Sequence, residues 1–237
     1  MPFTTGIELE FNCANDATVA AFTRQGWMIK SDSSCGRETV SPILSDYDAL
    51  SKQVAQICQA AASDPMFSCD TRCGFHVHVG MQDTADLAFK YRLLRLCAHF
   101  ETAIFSLADT HRRELHYCAR FPREFIEKMS TGHGWGSWST RYLWVNGVNM
   151  ARQTPDKTTV EFRLMAGTFK PDQITGWVCF VQVLALFVKA TRTRFSWDDT
   201  GTLAELNDKV LNYEVEGYAD VYATARAWFA ARTSATE

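Results

Sequence analysis

Residues 74–80 read GFHVHVG, in which Phe75, Val77 and Val79 alternate with His76 and His78 between two glycines. A period of two marks a β-strand, on which residues i and i+2 share a face. The two imidazoles therefore stand side by side on a strand over 75–79 whose other face is apolar. The stretch TTGIELEF at 4–11 has the same form, with Ile7, Leu9 and Phe11 on one face and Glu8 and Glu10 on the other. TVEFRL at 159–164 repeats it, and Glu161 and Arg163 share a face.

Between these strands the pattern predicts further elements. Short strands are expected at Trp27–Lys30 and Glu38–Ser41, the latter ending before Pro42. Asp46–Ala62 is predicted helical, with Leu50, Val54 and Ile57 as its apolar stripe. Phe89, Leu93, Leu96, Phe100, Ile104 and Leu107 step by three or four and predict one long helix. A further helix is expected near Arg120–Met129, followed by a Gly/Trp/Ser loop from Gly132 to Ser139. Tyr142–Asn149 and Thr158–Met165 form an expected hairpin around Arg152–Lys157. Helices are predicted at Asp172–Thr193, Thr202–Tyr213 and Tyr218–Ala231. With no linker or repeat, the chain is expected to be one α+β domain over 1–237. An antiparallel sheet would carry helices on one face, with a helical C-terminal part at 172–233.

The bulk properties limit the partners. The 237 residues are 46% hydrophobic and 22% charged, with a net charge of −3. That balance is ordinary for a globular chain and does not indicate nucleic acid. The start, MPFTTGIELEF, lacks a basic n-region and an apolar run, so no signal peptide is read and a cytoplasmic location is expected. The most apolar stretch, Ile174–Val188, is interrupted by Gly176 and Gln182 and is short for a bilayer, so it is expected as a buried helix and not a membrane span. Eight irregularly spaced cysteines without a CxxC pair are expected to be reduced thiols. His99, His111, His116 and His133 belong to no motif and are expected on the surface or at caps.

The plain alternative for each polar strand face is that it meets solvent. A solvent face usually mixes Lys, Thr, Ser and Gln. These faces instead carry only Glu8, Glu10, His76, His78, Glu161 and Arg163, and Glu38 joins them. Adjacent carboxylates repel, increasingly so as they lose water, and cations relieve that repulsion. Hard divalent ions take oxygen ligands and are commonly shared with substrate phosphates, and imidazole among carboxylates also suits Mn²⁺ or Zn²⁺. Arg163 beside Glu161 fits bidentate binding of phosphoryl oxygens. No GxxxxGK[ST] occurs, so a P-loop is excluded.

The ordered blocks GIELEF, a tryptophan strand with DSS and ETVSPIL, CGFHVHVG, RYLWVNGVN and TTVEFRLMAGT resemble the amidoligase family over residues 6–168. These are ATP-dependent carboxylate–amine ligases related to glutamine synthetase and glutamate–cysteine ligase. The resemblance implies a glutamine-synthetase-like catalytic domain using ATP and two or more Mg²⁺ or Mn²⁺ ions. It implies metal ligation by Glu8, Glu10, Glu38, His76 and Glu161. It places His78 on ATP phosphate, Arg163 on the transferring phosphoryl group, and Arg141 and Asn146 at the nucleotide or substrate. Asp32 and Ser34 would meet substrate, although the family has Asp-Gly-Ser where this chain has Asp32-Ser33-Ser34. The expected partners are a small-molecule or peptide carboxylate and an amine or ammonia, and the Gly132–Ser139 loop is the candidate cover. Oligomeric state is left open. Two alternatives stand beside this: a zinc hydrolase built on His76 and His78, and a non-catalytic binding protein on a degenerate ligase fold.

Overall fold

A computed structural model of the chain describes residues 1–81, 87–130, 142–147, 158–197 and 200–234. Six strands form one sheet: β1 Thr5–Phe11, β2 Met28–Asp32, β3 Gly36–Val40, β4 Gly74–Gly80, β5 Val145–Asn146 and β6 Thr159–Ala166. Their order is β2-β3-β1-β4-β6-β5, and every neighbouring pair is antiparallel. The fold is α+β, with an antiparallel sheet and helices, as expected.

The alternation in the sequence explains why β1, β4 and β6 lie at the centre. Ile7, Leu9, Phe11, Phe75, Val77 and Phe162 are completely buried in one core. Helix α2, Tyr47–Ala62, brings Leu50, Val54 and Ile57 into that core, and the Asp46 side chain caps it by accepting from Ala49 N at 2.7 Å.

The long C-terminal helix α6, Pro171–Thr191, is buried over 174–188. It is long and apolar enough to cross a membrane, yet 78% of its most apolar window is packed inside the protein. The two interruptions in its sequence have structural reasons. Gln182 is fully buried, accepts from Phe3 N at 3.2 Å and donates to Phe3 O at 3.2 Å, so it docks the chain entering β1. Gly176 lets α8, Ala219–Ser234, approach closely, since a Cβ there would lie 2.4 Å from the Trp228 side chain.

Several elements differ from expectation. The single helix predicted through residue 107 is divided into α3, Leu87–His99, and α4, Glu101–Ser106. At the junction the His99 carbonyl accepts from Gly201 N at 2.9 Å, and a Cβ on Gly201 would come within 2.3 Å of the Phe100 ring. A crossing segment thus takes up the junction. His99 is itself buried, with Nδ1 3.3 Å from Thr200 Oγ1, and is neither a surface nor a capping residue. The helix predicted at 202–213 is α7, Leu203–Leu206, running into a π-helical turn at Asn207–Leu211. The helix near 120–129 is α5, Arg123–Ser130. Helix α1, Asp16–Arg24, was not predicted, and it buries only Thr18 and Phe22. The hairpin strands are present as β5 and β6, while the 152–157 connection lies outside the described residues. All eight cysteines are free thiols.

Candidate active site

The residues of the polar face come together through strand register. Glu8 lies opposite His76, Glu10 opposite Glu38, and His78 opposite Glu161. Asn146 on β5 faces Glu161 from the other side. This face is not a solvent face: Glu10 is 6% exposed, His76 4% and Glu161 5%. Two carboxylates directly opposite, as Glu10 and Glu38 are, disfavour the sheet unless a cation lies between them or nearby.

Glu8, His78 and Glu161 each offer a ligand atom with all of these within 4.8 Å of one another, and Glu10, Asp32 and Cys35 form a second such group. His78 Nδ1 lies 3.3 Å from Thr159 Oγ1, which orients the ring. His78 Nε2 is buried, has no hydrogen-bond partner among the described residues and stands 3.3 Å from Glu8 Oε1. An orphaned ring nitrogen beside carboxylate oxygens fits a divalent metal. His76 bridges the carboxylates, with Nδ1 3.4 Å from Glu8 and 3.5 Å from Glu161, and Nε2 3.6 Å from Glu10. The resemblance gives the metal to His76 and the phosphate to His78, and both rings stand beside Glu8 and Glu161.

The electrostatics reflect the crowding. Burial pushes the Glu8 carboxyl up, but the hydrogen bond from His76 and the charge of the neighbouring His78 ring outweigh it and hold Glu8 well below the ordinary range. Glu161 behaves alike, since the charges of His76, His78 and Arg163 overcome its burial. Glu38 is raised by burial and by the Glu8 charge, despite Lys30 at 3.4 Å. His78 is raised: burial opposes its charged form, but Glu8 and Glu161 favour it more strongly.

Arg163 donates from Nη1 to Glu161 and from Nε to Tyr117 O at 3.3 Å. Asn146 Nδ2 donates to the other Glu161 oxygen at 2.6 Å, so Asn146 orients this carboxylate. The β4–β6 register shifts between Phe75 and Val77, so that two β6 residues, Arg163 and Leu164, oppose His76. This β-bulge turns both carbonyls toward Arg112, which donates to Arg163 O at 2.9 Å and to Leu164 O at 3.3 Å. Arg112 lies in an irregular segment covering the polar face, at the end of the 3₁₀ turn Thr110–Arg112. No periodic pattern around residue 112 marks it. The consecutive apolar pair Leu164-Met165, which breaks the alternation of β6, is the available sign of the bulge.

Next to the metal-type cluster is a polar cavity of about 220 Å³, lined by Glu10, Asp32, Arg72, His76, Arg112 and Arg163, with Ser33, Ser34, Tyr117 and Tyr142 at its edge. Asp32 and Ser34 thus line this cavity. The Asp32 Oδ1 accepts from Ser34 N at 2.7 Å, Cys35 N at 3.2 Å and the Ser34 hydroxyl. The left-handed backbone of this hairpin falls on Gly36, φ +109°, so Ser33 replaces a glycine at a position without that demand. Gly74 permits the closest approach in the site: a Cβ there would stand 2.9 Å from His76 Nε2 and 3.1 Å from Arg112 Nη2. Arg141 and the Gly132–Ser139 loop lie outside the described residues.

Residues 8–185 match a family model described as "Putative amidoligase enzyme". The chain belongs to the amidoligase family. No curated protein matches it. The matched span of this amidoligase begins at Glu8, ends in α6 and contains every acidic, histidine and arginine residue of the described site.

Proposed function

We propose that this amidoligase is an ATP-dependent carboxylate–amine ligase working through an acyl phosphate, with residues 1–237 forming one catalytic domain. The observation that carries the proposal is His78 Nε2 set 3.3 Å from Glu8 and 3.9 Å from Glu161, with Arg163 paired to the same Glu161. Carboxylates alone would suit many cations, but an arginine joined to the metal-type cluster suits a phosphoryl group shared between them.

Two or more Mg²⁺ or Mn²⁺ ions would be held by Glu8, His78 and Glu161 and by Glu10, Glu38 and His76, and would neutralise the polyphosphate. A substrate carboxylate oxygen attacks the γ-phosphorus of ATP, and the bond to the ADP oxygen breaks. Arg163 holds the transferring oxygens. An amine or ammonia nitrogen then attacks the acyl carbon, loses a proton and expels phosphate, leaving the amide. Asn146 and Thr159 keep Glu161 and His78 in place during both steps.

A zinc hydrolase would use His76 and His78 as paired ligands, and Arg163, paired with Glu161, would have no role in it. The test is hydroxylamine trapping. With ATP, Mg²⁺ and a panel of carboxylic acids, the ligase forms a hydroxamate with one ADP released per hydroxamate. ATP-independent hydrolysis of amides, with no hydroxamate for any acid, would overturn the proposal.

A further inference from the structure

Arg112 is 3% exposed, and among the described residues no carboxylate lies within ion-pair distance of it. Its hydrogen bonds go to the neutral carbonyls of Arg163 and Leu164. A buried guanidinium without an anionic partner is costly. The other two arginines of the cavity are neutralised: Arg72 by Asp70 at 2.8 Å and Arg163 by Glu161. Arg112 is therefore the cation left for a ligand.

Asp32 lines the same cavity. All of its hydrogen bonds, from Ser34 N, Ser34 Oγ, Cys35 N and Cys35 Sγ, fall on Oδ1. Oδ2 has no partner among the described residues. One cavity thus offers both a buried cation and a half-free carboxylate oxygen. Its volume, about 220 Å³, is below the roughly 300–1,000 Å³ of pockets for drug-sized ligands.

We propose that Arg112 and Asp32 form a subsite for a small zwitterionic acid, an α-amino acid whose carboxylate meets Arg112 and whose ammonium meets Asp32 Oδ2. The role of that amino acid as the acceptor rests on the ligase reading above; its binding does not. The placement fits the acceptor because the Arg163 carbonyl holds Arg112 while the Arg163 guanidinium pairs with Glu161. A carboxylate bound at Arg112 is therefore next to the group assigned to phosphoryl transfer. The two bulge carbonyls fix the guanidinium fork, so its direction is set before ligand arrives.

The test is calorimetric titration of L-alanine, L-aspartate, L-glutamate and L-lysine against their des-amino partners propionate, succinate, glutarate and 6-aminohexanoate. It is run with and without Mg²⁺ and a non-hydrolysable ATP analogue. At least one amino acid is expected to bind tenfold or more tightly than its des-amino partner. Asp32→Asn, at a partly exposed position with its Oδ1 bonds kept, is expected to abolish that preference. Arg112→Lys is expected to weaken both partners together by tenfold or more. No binding by any amino acid, or a preference unchanged in Asp32→Asn, overturns the assignment. Titrating the ATP analogue into the same preparations separates the two proposals. If it binds and no amino acid does, only the subsite falls. If an amino acid binds with the expected preference and the analogue does not, only the ligase reading falls.

Discussion

His78 Nε2 lies 3.3 Å from Glu8 Oε1 and makes no hydrogen bond there. The ring is held from behind, at Nδ1, by Thr159, and its free nitrogen points among acidic oxygens. A side chain oriented this way is prepared for a cation, and the strand register explains how. Glu8 faces His76 across β1 and β4, and Glu161 faces His78 across β4 and β6, so the cluster is fixed by backbone pairing.

The metal-free protein is expected to be most stable in mildly acidic solution. Glu8 and Glu161 have lowered folded-state values, so their contribution is present above the ordinary carboxylate pKa of about 4.3 and is lost as pH falls. His78 is raised, so its contribution is complete below about 6.5 and is lost as pH rises through its folded value. A divalent metal requires neutral His78, so the stabilisation by Mn²⁺ grows as pH rises through the raised folded value of His78. Thermal melts with and without Mn²⁺ read both effects, and a metal shift independent of pH would count against this cluster.

Glu38→Gln separates stability from metal binding. Burial and the Glu8 charge make ionised Glu38 unfavourable in the folded protein. Removing its charge is expected to raise the melting temperature without metal and to reduce the increase on adding Mn²⁺. A loss of stability in the metal-free variant would show that the Lys30 pair, 3.4 Å apart, matters more than the repulsion.

Gly176→Ala tests the packing of α6 on α8. The added methyl would stand 2.4 Å from the Trp228 side chain, inside van der Waals contact. Overpacking of this kind costs about 1–3 kcal/mol. For a chain of this size each kcal/mol lowers the melting temperature by about 2–4 °C.

Gln182→Leu tests the docking of the N-terminal strand. It leaves Phe3 N and Phe3 O without the side chain that pairs with both. Buried unsatisfied groups cost about 1–3 kcal/mol each. Denaturant unfolding is expected to show a loss of about 2–6 kcal/mol, with the metal response of the folded protein retained.

The parts of the fold that were legible in the sequence are those where chemistry and period coincide. On β1, β4 and β6 a charged residue recurs every second position, which gave the strands and the shared polar face together. Sequence alone could not decide whether that face met solvent, because its cover comes from the distant 110–118 segment. Arg112 was hidden for the same reason: its role arises from a bulge on a strand some fifty residues away. Helix α1 has too few buried positions to produce a stripe. The division at Phe100 depends on Gly201, which no local pattern near residue 100 could reveal.

The most direct measurement is isothermal titration of ATP into the metal-free protein, with and without Mg²⁺, repeated on Glu161→Ala after its folding is checked by circular dichroism. Glu161 lies in the metal-type cluster and pairs with Arg163. The predicted result is ATP binding that requires Mg²⁺ and is lost in the folded variant. ATP binding that ignores both Mg²⁺ and Glu161, or no ATP binding at all, would contradict the ligase account.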